Sequence, residues 1–400
     1  MKSAIALTDE IDDPPKAVAE LSATIRAALS FGKSSVGIVY CDAEVAVSEI
    51  GRLLHESLGI DIVGLTATAS IERHSGYHDM GIMLVVITGD DVDIAVGSTG
   101  ALDKTHFAPQ IAASYYSTRS RIPEYPRLIL LYVPYITDPT PDNCLEVLDE
   151  LSGHTPVFGG VASDHYDLMN HKTFHNGEEC ANGLVFVLIS GNVHPAFALE
   201  HHFEKRTEHK GIITKSSANQ VERVGDKTFK EYISDIMSVP KIDQVIYHFQ
   251  STPFVMEMPD DEDSEAPVVR ELCMIDHKTG AGGFQSKMPE GSALSIAELQ
   301  RDNLHNSCGN ALDRLVEAMR RNPDYPYCLI LISTCNARNL LMGDTKNLEA
   351  TIVADKLSGF NSNLNAMGFY ALGEICPTAS KQTGHMKNRF HNFSFSICAF

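Results

Sequence analysis

The sequence predicts an α/β fold of two related lobes, each built on a mixed β-sheet flanked by helices. Three observations carry this. The order strand, helix, glycine-kinked strand, strand recurs three times, beginning near residues 35, 127 and 328. Strands separated by helices pair in parallel, whereas the turn signals Asn176-Gly177 and Asn182-Gly183 close antiparallel hairpins, so the sheets are mixed. The 400 residues exceed one ordinary core, and a hydrophobic content of 44% is enough for two.

Residues 1–34 read as an acidic N-terminal tail and a helix. Asp13 is placed to cap that helix, Pro14 suits its first turn, and Val18, Leu21, Ile25, Ala28 and Leu29 share one face. A strand over 35–41 follows. Asp42 is expected to cap a helix that Gly59 stops. Strands over 60–67 and 81–88 and a helix over 105–117 come next. The second recurrence has a strand over 127–133, a helix from Thr140-Pro141 to Gly153, a strand over 156–160, a hairpin and a strand over 183–189. A second half begins near Gly225, with a helix over 228–237. The charged run at 259–267 reads as a solvated, mobile loop. A strand over 268–275, a turn at 278–283 and a helix over 311–321 that Pro323 ends lead to the third recurrence. That copy has a strand over 328–335, a helix over 348–357, a strand from Gly368 and a last strand over 391–399.

Composition excludes several functions. Acids outnumber bases by 52 to 32, giving a net charge of −20 that repels nucleic-acid backbones and anionic lipid. Nine cysteines without CxxC spacing, and an N-terminus unlike a signal peptide, indicate a reducing cytoplasm. No apolar run reaches the length of a membrane span.

Ligands in α/β sheets sit at the carboxyl ends of strands, so the pocket is expected where strands 328–335 and 368–374 end. Cys335 would form its floor. Arg338 offers a planar cation to a carboxylate, and Glu374 an anion to an ammonium group; the competing reading is an Arg338–Glu374 pair that staples the strands. Arg270 is a second carboxylate candidate. Ser163 and Asp164 follow the Gly159-Gly160 turn, where backbone approaches a ligand closely or simply turns tightly. Asn392 contacts a ligand or satisfies buried backbone. His165, His171 and His175 have ligand-like spacing, but their segment reads as an exposed hairpin and no metal is expected. His201, His202 and His209 lie among charges and are expected to be solvated. Gly280-Ala-Gly-Gly283 lacks the Lys-Ser/Thr of a phosphate loop, and no glycine-framed nucleophile supports a Cys335–His391 catalytic pair, so no enzyme is expected.

Several stretches together resemble the FIST family of sensory domains. They are Ile62-Val-Gly-Leu-Thr66, Pro156-Val-Phe-Gly-Gly-Val-Ala-Ser-Asp164, Asn182-Gly-Leu-Val185, Val269-Arg270, Glu290-Gly291, Ser333-Thr-Cys-Asn-Ala-Arg338, Gly368-Phe-Tyr-Ala-Leu-Gly-Glu-Ile375 and Phe390-His-Asn392. The resemblance implies a FIST N-like domain over 35–222 and a FIST C-like domain over 223–400. It implies a cytoplasmic sensor that binds an amino acid-like ligand or small carboxylate near the lobe interface. Because the sequence ends at Phe400 with no output region, the signal is expected to pass to a separate protein, such as a histidine kinase or a cyclic-di-nucleotide enzyme. One alternative implied by the resemblance is a haem-binding nitric-oxide sensor, with His391 as axial ligand and Cys376-Pro377 as a haem-responsive pair. Another is a protein-interaction module. The family's cysteine-containing glycine turn reads Gly64-Leu65-Thr66 here.

Overall fold

The computed structural model describes residues 1–165, 168–201, 203–237, 252–258, 264–299 and 302–400. Its α/β framework is a threefold repetition of one unit. Unit 1 contains β1 (Lys2–Thr8), α1 (Pro14–Ala28), β2 (Ser34–Cys41), α2 (Val47–Leu58), β3 (Asp61–Thr66), a hairpin of β4 (Ser70–Glu72) and β5 (Gly76–His78), and β6 (Ile82–Gly89). The expected tail is in fact β1: Ala4, Ala6 and Thr8 point inward on alternate residues, and the acids begin only after the strand. Asp13 caps α1 as expected, accepting from the Lys16 amide with Pro14 and Pro15 in the first turn. Helix α2 starts five residues past Asp42, whose carboxylate accepts instead from the Glu44 amide (2.8 Å) in a preceding turn. Gly59 ends α2 at φ 71°, where glycine has no Cβ penalty.

Unit 2 repeats the order with β7 (Val92–Ser98), α3 (Phe107–Arg119), β8 (Leu128–Val133), α4 (Pro141–Ser152), β9 (Val157–Val161), the hairpin β10 (Thr173–His175) and β11 (Glu178–Glu179), and β12 (Val185–Gly191). Thr140 and Asn143 close a capping box on α4. Unit 3 opens with β13 (Ala196–His201) and is then interrupted by an antiparallel insertion unforeseen as a separate sheet. The insertion comprises β14 (Phe203–Ser217), β15 (Gln220–Val224), β16 (Lys227–Thr228), α5 (Phe229–Met237), β17 (Phe254–Glu257), β18 (Val268–Arg270), β19 (Leu272–Ile275), β20 (Gly282–Phe284) and β21 (Ala293–Leu299). In its core Phe284 meets Phe229 and Phe254 edge to face, and those two rings pack tilted against each other. Unit 3 resumes with α6 (Asp302–Arg320), β22 (Leu329–Cys335), α7 (Asn336–Met342), α8 (Leu348–Phe360), β23 (Asn365–Ala371), β24 (Glu374–Ile375), the short β25 (Thr378–Ala379) and β26 (Met386–Lys387), β27 (Phe390–His391) and β28 (Ser394–Ala399). The expected solvated loop lies at residues 259–263 outside the described residues; beyond them, Ser264 bridges Ser380.

The three sheets have the same order: first strand, last strand, second strand, third strand, then a pair of short strands. Second and third strands are parallel in each: β2·β3, β8·β9 and β22·β23. The short pair is always borrowed. Unit 1 sends β4 and β5 to unit 3, unit 2 sends β10 and β11 to unit 1, and unit 3 sends β24 and β27 to unit 2. The exchange closes a ring. Units 1 and 2 fill the first half of the chain, and unit 3 with its insertion fills the second.

The inner faces of all three sheets share one core, in which the Tyr40 and Tyr132 hydroxyls lie 3.1 Å apart and Tyr40 packs on Phe369. Outer faces are covered by α1 and α2, by α3 and α4, and by α6 and α8. Strands buried on both faces explain the near-continuous apolar runs of the sequence. The glycine kinks fit the same packing. A Cβ on Gly64, Gly159 or Gly368 would lie 2.5, 1.9 or 2.4 Å from a carbonyl oxygen of the neighbouring parallel strand.

Candidate ligand-binding site

The C-terminal ends of β22 and β23 border a pocket of about 590 Å³, its open mouth included. Cys335, Ala371 and Leu372 come from these ends, and Asn336, Ala337 and Leu340 from the first turns of α7. Helix α7 departs from the sequence reading, which makes this segment a strand tip: the chain turns into a helix directly after Cys335. The far wall comes from elsewhere in the chain. Tyr135 and Leu168 belong to unit 2, and Glu271, Cys273 and Gln285 belong to the insertion. Among the described residues, no lysine or arginine lines this pocket.

Cys335 is the expected residue that reaches the pocket directly, and its thiol is pushed well above the usual range by burial, with Glu374 and Glu271 adding to the effect. Asn392 stands behind the wall. Its Oδ1 accepts from the Glu271 amide (3.2 Å), while its Nδ2 donates to Gln285 Oε1 (2.9 Å) and Leu372 O (3.1 Å). It therefore positions three pocket residues without facing the cavity. Glu374 is fully buried against Cys335, its Oε2 accepting from the Ser394 amide (3.0 Å) and hydroxyl (2.7 Å). Burial outweighs these donors and pushes its carboxyl up to about 8.

The two arginines lie elsewhere. Arg338 is wholly buried on α7 and does not pair with Glu374. Its Nε donates to Glu349 on α8 (2.7 Å) and Nη1 to Ser307 on α6 (3.1 Å), and the guanidinium stacks over Phe395. A helical Arg338 points back among its neighbouring helices, where a strand-tip residue would have faced the pocket. Arg270 ends β18 and faces away from Glu271, as alternate strand residues do. It lines a separate pocket and is already held by Asp142 (3.1 Å) and Phe390 O (2.8 Å).

Ser163 and Asp164 serve the junction of the three units. Asn336 Nδ2 donates to Thr68 Oγ1 (2.8 Å), the Thr68 amide to Ser163 Oγ (2.8 Å), and Ser163 Oγ to Tyr370 O (2.5 Å). One side chain from each unit thus meets at the strand ends. Asp164 accepts from the amides of Leu168, Met169 and Asn170. Burial raises its carboxyl, but these three donors outweigh it and hold it below the ordinary range.

His391 is fully buried in β27, with Nε2 3.2 Å from Cys376 O and its ring against His201. Burial and the neighbouring His201 push it well below the usual imidazole range. Cys376 is buried as well. Neither borders the pocket, so these residues do not fit an axial haem role. His201 is not solvated as expected: its Nδ1 meets Phe393 O (3.2 Å), and burial lowers it to about 4. His202 lies outside the described residues. His165, His171 and His175 go separate ways, to Asp42, to the Tyr135 amide and to Ser98.

Sequence reasoning missed Glu271 and Gln285. Glu271 is hidden inside what reads as one strand, over 268–275. That strand breaks here, because β18 pairs with β17 while β19 pairs with β20. Its carboxyl is pushed up to about 8 by burial. The one available signal was an acid placed inside an apolar run.

Fold and site together define an α/β module with a small, acid-lined pocket between its two halves. Models of the FIST N domain and the FIST C domain match residues 35–227 and 228–377. The chain belongs to the FIST family, whose domains are sensory domains of signal transduction. No curated protein matches it. Among solved structures it is similar to a cyanuric acid hydrolase from A. caulinodans, at 9% identity and a TM-score of 0.26, covering 75% of this chain and 99% of that one. A second cyanuric acid hydrolase structure gives 8% identity and a TM-score of 0.29, covering 75% and 100%. Likenesses this distant leave function to the site itself. Among the described residues, no helix is long and apolar enough to cross a membrane.

Proposed function

We propose that the chain is a cytoplasmic, non-enzymatic sensor whose small ligand sits in the pocket walled by Glu271, Gln285, Cys335 and Tyr135, and that a separate signalling protein reads the bound state. The observation that carries this is the composition of the walls. Tyr135 and Leu168 come from the FIST N half, and the remaining lining residues from the FIST C half. A ligand that touches both halves changes how they pack, by no more than its differential affinity for the two arrangements. The polar lining also narrows the ligand class expected from sequence. With an acid and, among the described residues, no cation around the cavity, a bare carboxylate gains no partner there, so the amino acid-like arm survives only for ligands that present hydrogen-bond donors.

A thermal-shift screen of amino acids, amines and small amides tests this, on unsubstituted protein and on Ala337→Leu, which places bulk at the pocket wall. The expected result is a ligand that raises the melting temperature of the first and not the second. A ligand that stabilises both equally would place its site elsewhere and refute the reading.

A further inference from the structure

Glu271 immediately precedes β19 and Gln285 immediately follows β20, so the two flank the Leu272–Phe284 pair at the end of that ladder, and both line the pocket. Gln285 is 1% exposed, yet its Nε2 has no hydrogen-bond partner. Its orientation is not arbitrary. Asn392 must present Oδ1 to the Glu271 amide and Nδ2 to Leu372 O, so the same Nδ2 fixes Oε1 of Gln285 as the acceptor. The amide N–H group of Gln285 is thereby left as a buried donor at the pocket wall. Leaving such a donor unmade is unfavourable, and a ligand acceptor would satisfy it.

We propose that the pocket recognises an uncharged carboxamide, lactam or urea edge, with the ligand C=O accepting from Gln285 and its N–H donating to the Glu271 carboxyl. The proposal rests on the sensor reading above and names the ligand class of that same site. A protonated carboxyl and an amide form a closed pair of hydrogen bonds, in which each supplies one donor and one acceptor. Glu271 is suited to the protonated role. Among the described residues no cation lines the pocket, and burial alone raises its carboxyl to about 8. An anion would meet an acid without a counter-charge. An ammonium would need Glu271 ionised in the site that disfavours its charge.

Titration calorimetry with three probes of matched shape, benzamide, benzoate and benzylammonium, tests the proposal. The expected result at pH 6.5 is that benzamide binds most tightly. Raising the pH to 9 ionises most of a group that titrates near 8 and weakens benzamide by about tenfold. At pH 9, Glu271→Gln, which keeps a donor and an acceptor at every pH, then binds benzamide about tenfold more tightly than the unsubstituted protein. Gln285→Ala weakens benzamide by roughly tenfold at pH 6.5. The proposal is overturned if benzylammonium outbinds benzamide, if benzamide affinity is the same at both pH values, or if Glu271→Gln removes binding at pH 6.5. Should another probe bind instead and be blocked by Ala337→Leu, the amide class falls while the sensor pocket stands. If benzamide binds but neither Gln285→Ala nor Ala337→Leu affects it, both readings fall.

Discussion

Replacing Arg338 with alanine tests whether this arginine staples the fold or binds a ligand. The guanidinium and the Glu349 carboxylate are both fully buried and 2.7 Å apart. Removing one partner of a buried pair leaves the other without compensation, at a cost of about 3–5 kcal/mol. The lost bond to Ser307 and the stacking on Phe395 place the expected value toward the upper end. Glu349→Gln should cost a similar amount, because Arg338 then lacks its anion. The double variant Arg338→Met, Glu349→Gln behaves differently. The introduced side-chain amide still accepts from the Thr334 and Tyr370 hydroxyls that bond Glu349, and no unpaired charge remains. Arg338→Met alone leaves Glu349 as unpaired as Arg338→Ala does, so the double's expected cost is below about 3 kcal/mol against a sum for Arg338→Met and Glu349→Gln above about 6, a non-additivity of at least about 3 kcal/mol. Urea denaturation followed by circular dichroism reads this cycle; the chain has no tryptophan to report unfolding. If Arg338→Ala cost less than about 1 kcal/mol and abolished ligand binding, the staple assignment would be wrong.

Other consequences are as direct. Glu374 and Glu271 have folded values near 8 against an unfolded value near 4.5, so their contribution to stability is complete below 4.5 and is lost as pH rises through 8. His201 and His391 act in the opposite sense: lowered from 6.5, they contribute above that value and lose it as pH falls. The melting temperature should therefore be nearly flat between about pH 4.5 and 6.5 and fall on either side, with Glu374→Gln making the alkaline fall shallower; an unchanged alkaline limb would count against a buried neutral Glu374. Gly159→Ala forces a Cβ to 1.9 Å from Leu131 O and should cost more than about 3 kcal/mol or abolish soluble expression; wild-type stability would show that β9 has room to shift. Asp164→Ala removes the acceptor of three amides and should speed hydrogen exchange at residues 168–170, leaving the β-sheet cores protected.

The framework was legible because its signals are local. The threefold recurrence of strand, helix and glycine-kinked strand is the three parallel pairs, and the caps at Asp13, Thr140 and Gly59 lie where their chemistry requires. The unread parts depend on partners distant in sequence. A two- or three-residue strand such as β4 has no periodicity of its own, and nothing in Ser70–Glu72 indicates that it pairs with β23 about three hundred residues later. The site divided the same way. Cys335 was found from the end of an apolar run, whereas Arg338 was misplaced because a seven-residue helix follows a strand without a capping signal. Glu271 offers only the signal of an acid inside an apolar run, because its significance lies in what surrounds it, which only a folded chain displays.

The strand exchange gives the pocket a physical route to the other half of the molecule. Leu372 lines the cavity, and two residues later the chain enters β24, which joins the sheet of unit 2 by pairing with β9 through Glu374 and Gly160. The Leu372 carbonyl is held by Asn392, which follows β27, the outer partner of β24 in that borrowed pair. A ligand that displaces Gln285 or Leu372 therefore acts on Asn392 and, through it, on both strands that unit 3 contributes to the sheet of unit 2. Close packing on the two faces of that sheet prevents the displacement from being absorbed locally. The sheet can respond as a body, as the sensor proposed above would require. Asn392→Ala cuts this connection and also frees the Gln285 amide, so it is compared at a ligand concentration that saturates the variant; there it should uncouple ligand-induced changes in hydrogen exchange at β8 and β9 from those at β22. If both strands still responded to ligand in that variant as in the unsubstituted protein, the exchanged pair would not be the route.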